Sequence, residues 1–308
     1  MTSRHAHVRP AVIALTVVVN AAIGVYLLGS GSAATYVSSA EAESGTVAGA
    51  GAAKDDAGAS GGKLVQFGGT ATQNPEGGCA VGGDPAPCIG GPATGASGWT
   101  LSFRDEFNGT SLDLSKWEST WFGDGTRMNN VGTYARNVNV ADGEVRLQLS
   151  SSGEGALIHT GYKPGHYQYP VGSFVEARIY FPGSSGTTLY NWPAWWANST
   201  EGYPRSGEHD IAEVLGSGTL TVNYHSPSGA HNQGSVPGNW GNSYHTYALH
   251  RQASKADVYW DGRLVKSYDT DDDGAPEDLI LNVGSGAGPT KTGAEGAMRV
   301  DYVRAWRR

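Results

Sequence analysis

The pattern of apolar and polar positions after residue 99 consists of short alternating runs separated by turn signals. In residues 174–180, Glu176 and Arg178 fall on one face of an extended strand, and three apolar side chains fall on the other. Residues 256–260 alternate in the same way and run into an Asp-Gly pair, a hairpin-turn signal. We find no helical period longer than two turns in this region and no internal repeat. The pattern predicts an all-β domain, either a sandwich or a barrel.

The first 34 residues form a separate segment. Arg4 and Arg9 precede a mainly apolar run over residues 11–28, and residues 32–34 suit a signal-peptidase site. The run is long for a signal core and short for a membrane span, so a cleaved signal peptide and a membrane anchor both remain open. A buried core helix is disfavoured, because nothing before it could form a domain. Both open readings place the following chain outside the cell, secreted or tethered to the outer face of the cytoplasmic membrane.

A linker is predicted over residues 70–98, which are rich in Gly, Pro, Ala and Thr. Cys79 and Cys88 lie within it. Because an exported chain meets an oxidising environment, we expect a disulfide between them rather than free thiols. A metal site is disfavoured, since no other Cys or His is close.

Composition limits the classes of partner that this 308-residue chain could bind. Aromatic residues make up 10 %, charged residues only 16 %, and 46 residues are glycine. This is typical of all-β proteins with a ring-binding cleft. The net charge of −8 argues against a nucleic-acid partner, which requires a basic surface, and fits a neutral substrate. We expect a monomer.

A row of carboxylates stands out in residues 207–216. On a regular strand Glu208 and Asp210 point to one face and Glu213 to the other, but a β-bulge at Ile211–Ala212 would bring all three together. Glu208 and Glu213 would then lie about 13 Å apart along the backbone. Their side chains could close this to the roughly 5–5.5 Å of a retaining glycosidase. The alternative is a solvated acidic strand, since many charge runs are solvated faces.

The row lies within a longer resemblance to glycoside hydrolase family 16. Residues 208–213 match the family pattern Glu-x-Asp-x-x-Glu. Four other segments resemble family segments in the expected order, namely residues 103–117, 171–180, 192–196 and 300–304. Several ordered segments are more specific than one motif, so the resemblance covers residues 99–308 as a catalytic domain. It implies a two-sheet antiparallel β-sandwich of jelly-roll type with a concave substrate cleft, and a retaining β-glycan hydrolase.

Residues 35–69 resemble sugar-binding modules of carbohydrate-binding families 6 and 35 in two stretches, 41–45 and 57–63. Those modules are several times longer. This fragment is too short to bury a core of its own, so we predict no sugar binding from it.

The resemblance implies a role for each carboxylate. Glu208 would attack the anomeric carbon, and Glu213 would protonate the leaving oxygen and then deprotonate water. Asp210 would tune both pKa values. His209 replaces an aliphatic residue of the family. Alternation turns it towards the core, where we expect a hydrogen-bonded histidine rather than a substrate contact.

The candidates for substrate binding are Trp192, Trp196, Glu176, Arg178 and His225. Alternation places both tryptophans on one side of their strand, where they could stack on sugar rings. Glu176 and Arg178 match family positions that hold sugar hydroxyls, with a structural ion pair as the alternative. His225 could bond a sugar hydroxyl or Glu213, or it could be a plain surface histidine.

No cofactor is expected for catalysis. By resemblance, a structural calcium ion would join the first and last strands through Glu106, the Gly143 backbone and Asp301, with ordinary surface acids as the alternative. Residues 269–274 resemble the opening of an EF-hand loop, but Ile280 occupies the position of the bidentate Glu. We therefore expect a solvated loop there.

The predicted function is endo-hydrolysis of a β-linked polysaccharide, in particular as an endo-β-1,3-glucanase of laminarinase type. A galactan or mixed-linkage glucan hydrolase, or a transglycosylase of the same fold, remains open because subsite loops decide the substrate. A non-catalytic β-glucan-binding protein is the other alternative. Such a protein would normally have lost a carboxylate, and all three are present.

Overall fold

The computed structural model describes residues 51–55, 63–67, 99–161, 165–199 and 202–308. By contacts the chain forms two units, Met1–Thr72 and Gln73–Arg308. In the first unit, β1 (Gly51–Asp55) and β2 (Lys63–Phe67) pair as an antiparallel ribbon. None of the helices in the described ranges is long and apolar enough to cross a membrane.

Three predictions for the N-terminal third fall outside the described residues. They are the signal or anchor at residues 1–34, the linker at residues 70–98 and the disulfide between Cys79 and Cys88. The assignment of residues 35–69 as a module fragment also stays a prediction.

The described part of the second unit, from residue 99 onwards, consists of strands and turns. Its strands are β3 (Thr100–Asp105), β4 (Arg127–Met128), β5 (Val131–Gly132), β6 (Val138–Ala141), β7 (Glu144–Leu147), β8 (Ala156–His159), β9 (Ser173–Tyr180), β10 (Trp192–Asn198), β11 (Glu208–Leu215), β12 (Thr219–Ser226), β13 (Gly229–Ser235), β14 (Tyr244–Arg251), β15 (Lys255–Trp260), β16 (Arg263–Asp269), β17 (Asp278–Gly284) and β18 (Met298–Arg307). Its described helices are two 3-10 turns, Ala135–Asn137 and Ala294–Gly296. The all-β prediction is confirmed.

Two antiparallel sheets form the layers of the sandwich. One has six strands in the order β13-β12-β11-β10-β17-β8. The other has the order β16-β15-β14-β9-β18-β7-β6, and β3 joins it by pairing with β18. The predicted two-sheet jelly roll is confirmed.

The core lies between these sheets. Trp195 of the six-stranded sheet and Trp260 of the eight-stranded sheet are fully buried. Each donates its indole N–H across the core, Trp195 to the carbonyl of Tyr247 at 3.1 Å and Trp260 to that of Ile211 at 3.0 Å. A buried indole N–H needs a hydrogen-bond acceptor, so these two bonds restrict how the sheets can pack against each other. Replacing either ring by alanine should cost about 3–5 kcal/mol.

The alternation predicted for residues 174–180 is present in β9. Its three apolar side chains are buried in the core, and Glu176 and Arg178 therefore lie on the outer face of the eight-stranded sheet. The predicted hairpin is present too. It joins β15 and β16 through Asp261 and Gly262, whose φ angles of 48° and 70° suit a two-residue turn.

Strand β11 carries the predicted bulge. Against β10, Trp196 faces Asp210 while the preceding Trp195 faces Ala212, so one residue of β11 is extra. The register against β12 shifts between Asp210 and Glu213 as well. Ile211 and Ala212 are fully buried in the core. The bulge thus restores the parity of Glu213, which turns its carboxylate to the face that carries Asp210.

Candidate active site

The six-stranded sheet bears a cavity of about 420 Å³ on the face that points away from the core. Its lining consists of Trp121, Phe122, Met128, Asn129, Ala194, Trp196, Asn198, Tyr203, Glu208, Asp210 and Glu213. All three predicted carboxylates therefore share one cleft, and the alternative of an outward-facing solvated strand does not hold.

Glu208 and Asp210 meet on one side of the row. Asn198 donates its amide N–H to Glu208 Oε2 at 3.2 Å. His225, which lies opposite Glu208 in the register of β12, places Nε2 3.3 Å from Asp210 Oδ2 and 3.7 Å from Glu208 Oε1. Of the contacts considered for His225, the one with Glu213 is not formed, because this register puts His225 beside Glu208 and Asp210. A contact with a sugar hydroxyl stays a prediction.

Glu213 has a different environment. Trp192 donates its indole N–H to Oε1 at 2.8 Å, and Asn223 donates its amide N–H to Oε2 at 2.9 Å. Both oxygens are thus held, which fixes the direction of the carboxyl group. Trp192 is already bonded to a carboxylate, so its indole edge is not free for a sugar hydroxyl.

The carboxylates perturb one another. Burial raises the pKa of Glu208 to about 8, with a further contribution from the charge of Asp210 and an opposing one from His225. Burial, then the charge of Glu213, holds the pKa of Asp210 well above its ordinary value. Burial also raises the pKa of Glu213, although the bonds from Trp192 and Asn223 oppose this. Burial and mutual repulsion thus both oppose the ionisation of all three carboxyl groups at once.

Asp210 is the carboxyl that we assign as protonated in the free protein, since it is 4 % exposed and its pKa is raised well above the ordinary value. A neutral Asp210 no longer repels a charge on Glu208. The neutral state of Asp210 thus removes one of the charges that oppose ionisation of Glu208, the form that a nucleophile requires.

His209 lies behind the row and is fully buried, as predicted. Its Nδ1 is 3.0 Å from the hydroxyl of Tyr268, and its ring stacks on Tyr224 with centroids 4.9 Å apart. Burial lowers its pKa to about 3, so the imidazole is neutral. Tyr268 and Nδ1 therefore share one hydrogen bond, whereas Nε2 lies 3.6 Å from Glu277 Oε1, which is longer than a hydrogen bond.

Arg251 centres a buried ion cluster next to His209. Its Nη2 lies 2.8 Å from Asp272 Oδ1 and 3.1 Å from Glu277 Oε1. Asp272 belongs to residues 269–274, and its side chain is only 4 % exposed. The prediction of a solvated loop was wrong for Asp272, because the loop folds this carboxylate inward onto Arg251.

Glu176 and Arg178 are absent from the cleft. The hydroxyl of Tyr302 donates to Glu176 at 2.9 Å, and Arg178 pairs with Asp301 at 2.6 Å, both on the outer face of the opposite sheet. Their predicted role in holding sugar hydroxyls was wrong. The alternation was right, but it could not show which of the two sheets contains β9.

The predicted calcium ligands lie in or next to strands β3, β7 and β18, but each carboxylate has an arginine partner. Glu106 accepts two bonds from Arg304, both 2.8 Å, and Asp301 is bound by Arg178. Gly143 forms the turn between β6 and β7 with φ 74°. A cation would have to compete with a guanidinium at both acids. These side chains as placed do not fit a calcium ion, and no chemical step relies on one.

The sequence reasoning missed seven cavity residues: Trp121, Phe122, Met128, Asn129, Ala194, Asn198 and Tyr203. Trp121 stacks on Trp196 with centroids 5.7 Å apart and an interplanar angle of 29°. The adjacent aromatic pair Trp121-Phe122 in a Gly-containing loop was an available signal. The position of that loop beside β10 was not.

The chain is similar in sequence to a glucan-cleaving protein. Glucan endo-1,3-beta-glucosidase A1 of Niallia circulans is 27 % identical over 281 residues, covering 71 % of this chain and 39 % of that relative. The chain therefore spans about two fifths of the length of that relative.

Solved structures share the fold. SCLam, a non-specific endo-beta-1,3(4)-glucanase, has a TM-score of 0.57 at 22 % identity, covering 70 % of this chain and 94 % of its own. An immunostimulatory antigen and pseudo beta-1,3-glucanase of Mycobacterium tuberculosis has a TM-score of 0.54 at 24 % identity, covering 68 % and 99 %. The sequence family described as glycosyl hydrolases family 16 matches residues 125–304, which include the carboxylate row. This match extends over more than half of the chain, and the chain belongs to glycosyl hydrolases family 16.

Proposed function

We propose that the chain is a retaining endo-β-1,3-glucanase. The observation that carries this proposal is the bulged strand β11, which turns Glu208, Asp210 and Glu213 into one cleft with separate hydrogen-bond partners. Two carboxyl groups in different environments are what stepwise glycosidic cleavage requires.

Glu208 is the nucleophile in this proposal. It attacks the anomeric carbon while Glu213 transfers its proton to the departing oxygen, which leaves a glycosyl ester on Glu208 and a carboxylate on Glu213. Glu213 then takes a proton from water, whose oxygen attacks the same carbon and releases Glu208. Two displacements retain the anomeric configuration. Trp192 and Asn223 hold Glu213 in position for both proton transfers.

The β-1,3 linkage is supported by the name of the Niallia circulans relative. A mixed β-1,3/1,4-glucan is the second candidate, because SCLam is described as non-specific for these linkages. The Mycobacterium tuberculosis neighbour is described as a pseudo-glucanase. In this chain all three carboxylates are present and share the cavity, which favours catalysis over binding alone.

A panel of polysaccharides tests the proposal. Laminarin, mixed-linkage glucan, galactan and cellulose are incubated with the full chain, and reducing ends are measured. We expect the fastest release from laminarin with oligosaccharide products, and loss of release in Glu208→Gln. Release from galactan alone, or release that persists in Glu208→Gln, would contradict the proposal.

The structural calcium ion predicted near Glu106, Gly143 and Asp301 has its own test. The arginine pairs at both acids count against it. Melting curves of chelator-treated and calcium-loaded protein decide the matter. A lower melting temperature that calcium restores would support the ion, and coincident curves would remove it.

Export is likewise a proposal, supported by the apolar run and basic residues at the N-terminus. We propose that the chain acts outside the cell, secreted or tethered, as a monomer. Fractionation of cells and medium, with the N-terminus of the mature protein sequenced, separates cleavage from anchoring.

A further inference from the structure

A serine, a histidine and an aspartate form a chain of hydrogen bonds away from the cleft. Ser243 directly precedes β14, His245 lies in β14, and Asp261 occupies the turn between β15 and β16. Ser243 Oγ is 2.7 Å from His245 Nε2, and Asp261 Oδ2 is 2.7 Å from His245 Nδ1. These three described residues do not belong to the lining of the carboxylate cavity. The order hydroxyl, imidazole, carboxylate is the arrangement that activates a serine as a nucleophile.

The carboxylate determines the direction of both hydrogen bonds. A carboxylate oxygen can only accept, so the bond between Asp261 and His245 places the imidazole proton on Nδ1. Nε2 of the neutral imidazole is then an acceptor, and its bond with Ser243 requires the hydroxyl to donate. The hydroxyl proton therefore already points to the group that would remove it, as general-base catalysis requires.

Neighbouring groups hold the imidazole and the carboxylate in place. Thr246 donates its backbone N–H to Asp261 Oδ1 at 3.0 Å and accepts the backbone N–H of Asp261 at 2.9 Å. Trp240 packs edge-to-face against the imidazole of His245, with centroids 5.1 Å apart. The indole N–H of Trp240 in turn donates to the carbonyl of Val236 at 2.9 Å. Supporting contacts of this kind preorganise a catalytic group.

Ser243 follows a fixed turn and is exposed to solvent. The preceding Asn242 has φ 63°, in the left-handed region. Its side-chain amide accepts the N–H of Gly183 at 3.0 Å and donates to the carbonyl of Gly183 at 3.1 Å, and its backbone N–H donates to Phe181 at 2.9 Å. A carbonyl group from solvent can therefore approach a hydroxyl that is already positioned.

A second serine–histidine pair on the same molecule differs in one respect. Ser228 Oγ lies 2.8 Å from His231 Nε2, and Ser228 is exposed as Ser243 is. Here the nearby carboxylate, Asp271, accepts the hydroxyl proton of Ser228 and does not direct it to the imidazole. Ser228 thus has the serine–histidine contact without a hydroxyl that donates to the histidine, which makes it a matched control.

We propose that Ser243, His245 and Asp261 form a second catalytic centre, which hydrolyses short-chain acyl esters. Ser243 Oγ attacks the carbonyl carbon of the ester while its proton passes to His245 Nε2. The alcohol leaves with that proton, and the acyl group remains on Ser243. Water then gives a proton to Nε2 and attacks the same carbon. The carboxylic acid is released, and the proton on Nε2 returns to Ser243 Oγ.

The surroundings indicate the class of ester. Trp240 is only partly buried and offers apolar surface beside the imidazole, which favours an uncharged acyl group. Ser243 is exposed, so a long acyl chain bound to it would stay in contact with water, and a short chain is favoured. Asp261 touches no reacting atom and is a positioning residue, because it keeps the imidazole proton on Nδ1.

The experiment measures hydrolysis of p-nitrophenyl acetate by the full chain over many equivalents of ester. We expect turnover by the wild type, the rate of buffer alone for Ser243→Ala and the wild-type rate for Ser228→Ala. A fluorophosphonate, which reacts with activated serines, should label Ser243 and not Ser228, as located by mass spectrometry of the digested protein.

Asp261→Asn tests the positioning residue. Asparagine tolerates the positive φ of this turn, so the backbone is kept. The new amide can donate to Nδ1, which moves the imidazole proton to Nε2 and removes the acceptor for Ser243. We expect kcat for the ester to fall about a hundredfold with little change in KM.

The opposite results would overturn the second centre. They are a wild type no faster than buffer, turnover that persists in Ser243→Ala, and label that falls on Ser228 as readily as on Ser243. An Asp261→Asn variant with unchanged kcat and a lower melting temperature would show that Asp261 only holds the turn. Laminarin hydrolysis by the wild type reports on the carboxylate cleft alone, so the two activities stand or fall separately.

Discussion

Glu208 and Glu213 are the same residue type in one cavity, but their partners differ. Glu208 has Asn198 and His225 beside it, whereas both oxygens of Glu213 accept N–H bonds. This difference in hydrogen-bond partners supports separate tasks for the two acids. Mutation of each acid should therefore impair a different step of the reaction.

We predict that Glu208→Ala loses activity on every substrate by several orders of magnitude. Glu213→Ala should lose activity on a natural glucan, whose leaving alkoxide needs a proton, and should keep the first step on an activated aryl glycoside. Azide should then speed turnover of Glu213→Ala and yield the β-glycosyl azide. Azide acting on Glu208→Ala should yield the α-azide.

Product analysis by NMR checks this assignment. The wild type should release product of retained configuration. Inverted product from the wild type, or the two azides with their configurations exchanged, would reverse or remove the assigned roles.

The raised pKa of Glu208 also predicts a dependence of stability on pH. The group titrates near 4.5 when unfolded and at about 8 when folded. Folding therefore favours the protonated form, and stability is lost as the pH rises from about 4.5 to 8. Glu208→Gln is neutral throughout, so it should gain about 1–3 kcal/mol over the wild type at pH 8 and little at pH 4. The gain is below the full shift because Asp210 titrates with Glu208.

Urea unfolding at both pH values measures that difference. Glu295→Gln, at a side chain 77 % exposed, is the control and should change stability little at either pH. A gain for Glu208→Gln that is the same at pH 4 and pH 8 would contradict the linkage.

At the scale of elements, the two faces of β11 carry polar side chains in two different environments. One face supplies the cleft, and the other places His209 against Tyr268 and the ion cluster of Arg251. The cluster ties β11 to β14, β16 and the chain just before β17. The strand that carries the chemistry is therefore held from behind by polar contacts as well as by the core.

We predict that Arg251→Met destabilises the fold by about 3–5 kcal/mol, because it leaves the buried carboxylate of Asp272 without a counter-charge. Burial raises the pKa of Glu277 to about 8, so this second neighbour of Arg251 contributes less. Thermal melting measures the loss. The matched variant Arg251→Met with Asp272→Asn and Glu277→Gln removes all three ionisable groups and should recover part of it. A single variant as stable as the wild type would show that the cluster contributes nothing.

The bulge shows what the sequence could predict at this scale. On a regular strand the side chains of Glu208 and Glu213 would point to opposite faces. One extra residue at Ile211–Ala212 was therefore predicted from the spacing of the two acids. The predicted sugar-binding role of Arg178 was wrong. Alternation shows which residues share a face of a strand, but it does not show to which sheet the strand belongs. Long-range pairing of β9 with β14 and β18 decided that, and it leaves no local trace in the sequence.

At the scale of the molecule, the second unit contains both sheets and every described residue that lines the cavity. We predict that residues 99–308 expressed alone keep full activity on the polysaccharide that the full chain cleaves best. The preceding residues are a short fragment and a predicted linker. Loss of most activity, with an unchanged circular dichroism spectrum, would show that the N-terminal residues contribute to substrate binding.

The fold class could be predicted from the sequence because short alternating runs recur from residue 99 onwards. The residues that line the cavity could not be predicted from the sequence. The loops with Trp121 and Tyr203 have no periodicity, so the sequence does not show where these loops lie. Their positions depend on tertiary contacts such as the stacking of Trp121 on Trp196.

Strand β18 has a consequence for the order in which the protein can form. It pairs with β9 on one side and with β7 and β3 on the other, and the bond between Glu176 and Tyr302 spans 126 residues of sequence. During synthesis β3, β6 and β7 therefore exist for a long time without the strand that joins them to the rest of their sheet. Closure of the sandwich is a late event that waits for β18, and non-local closure of this kind is slow. Until then the unpaired strand edges are open to aggregation and proteolysis.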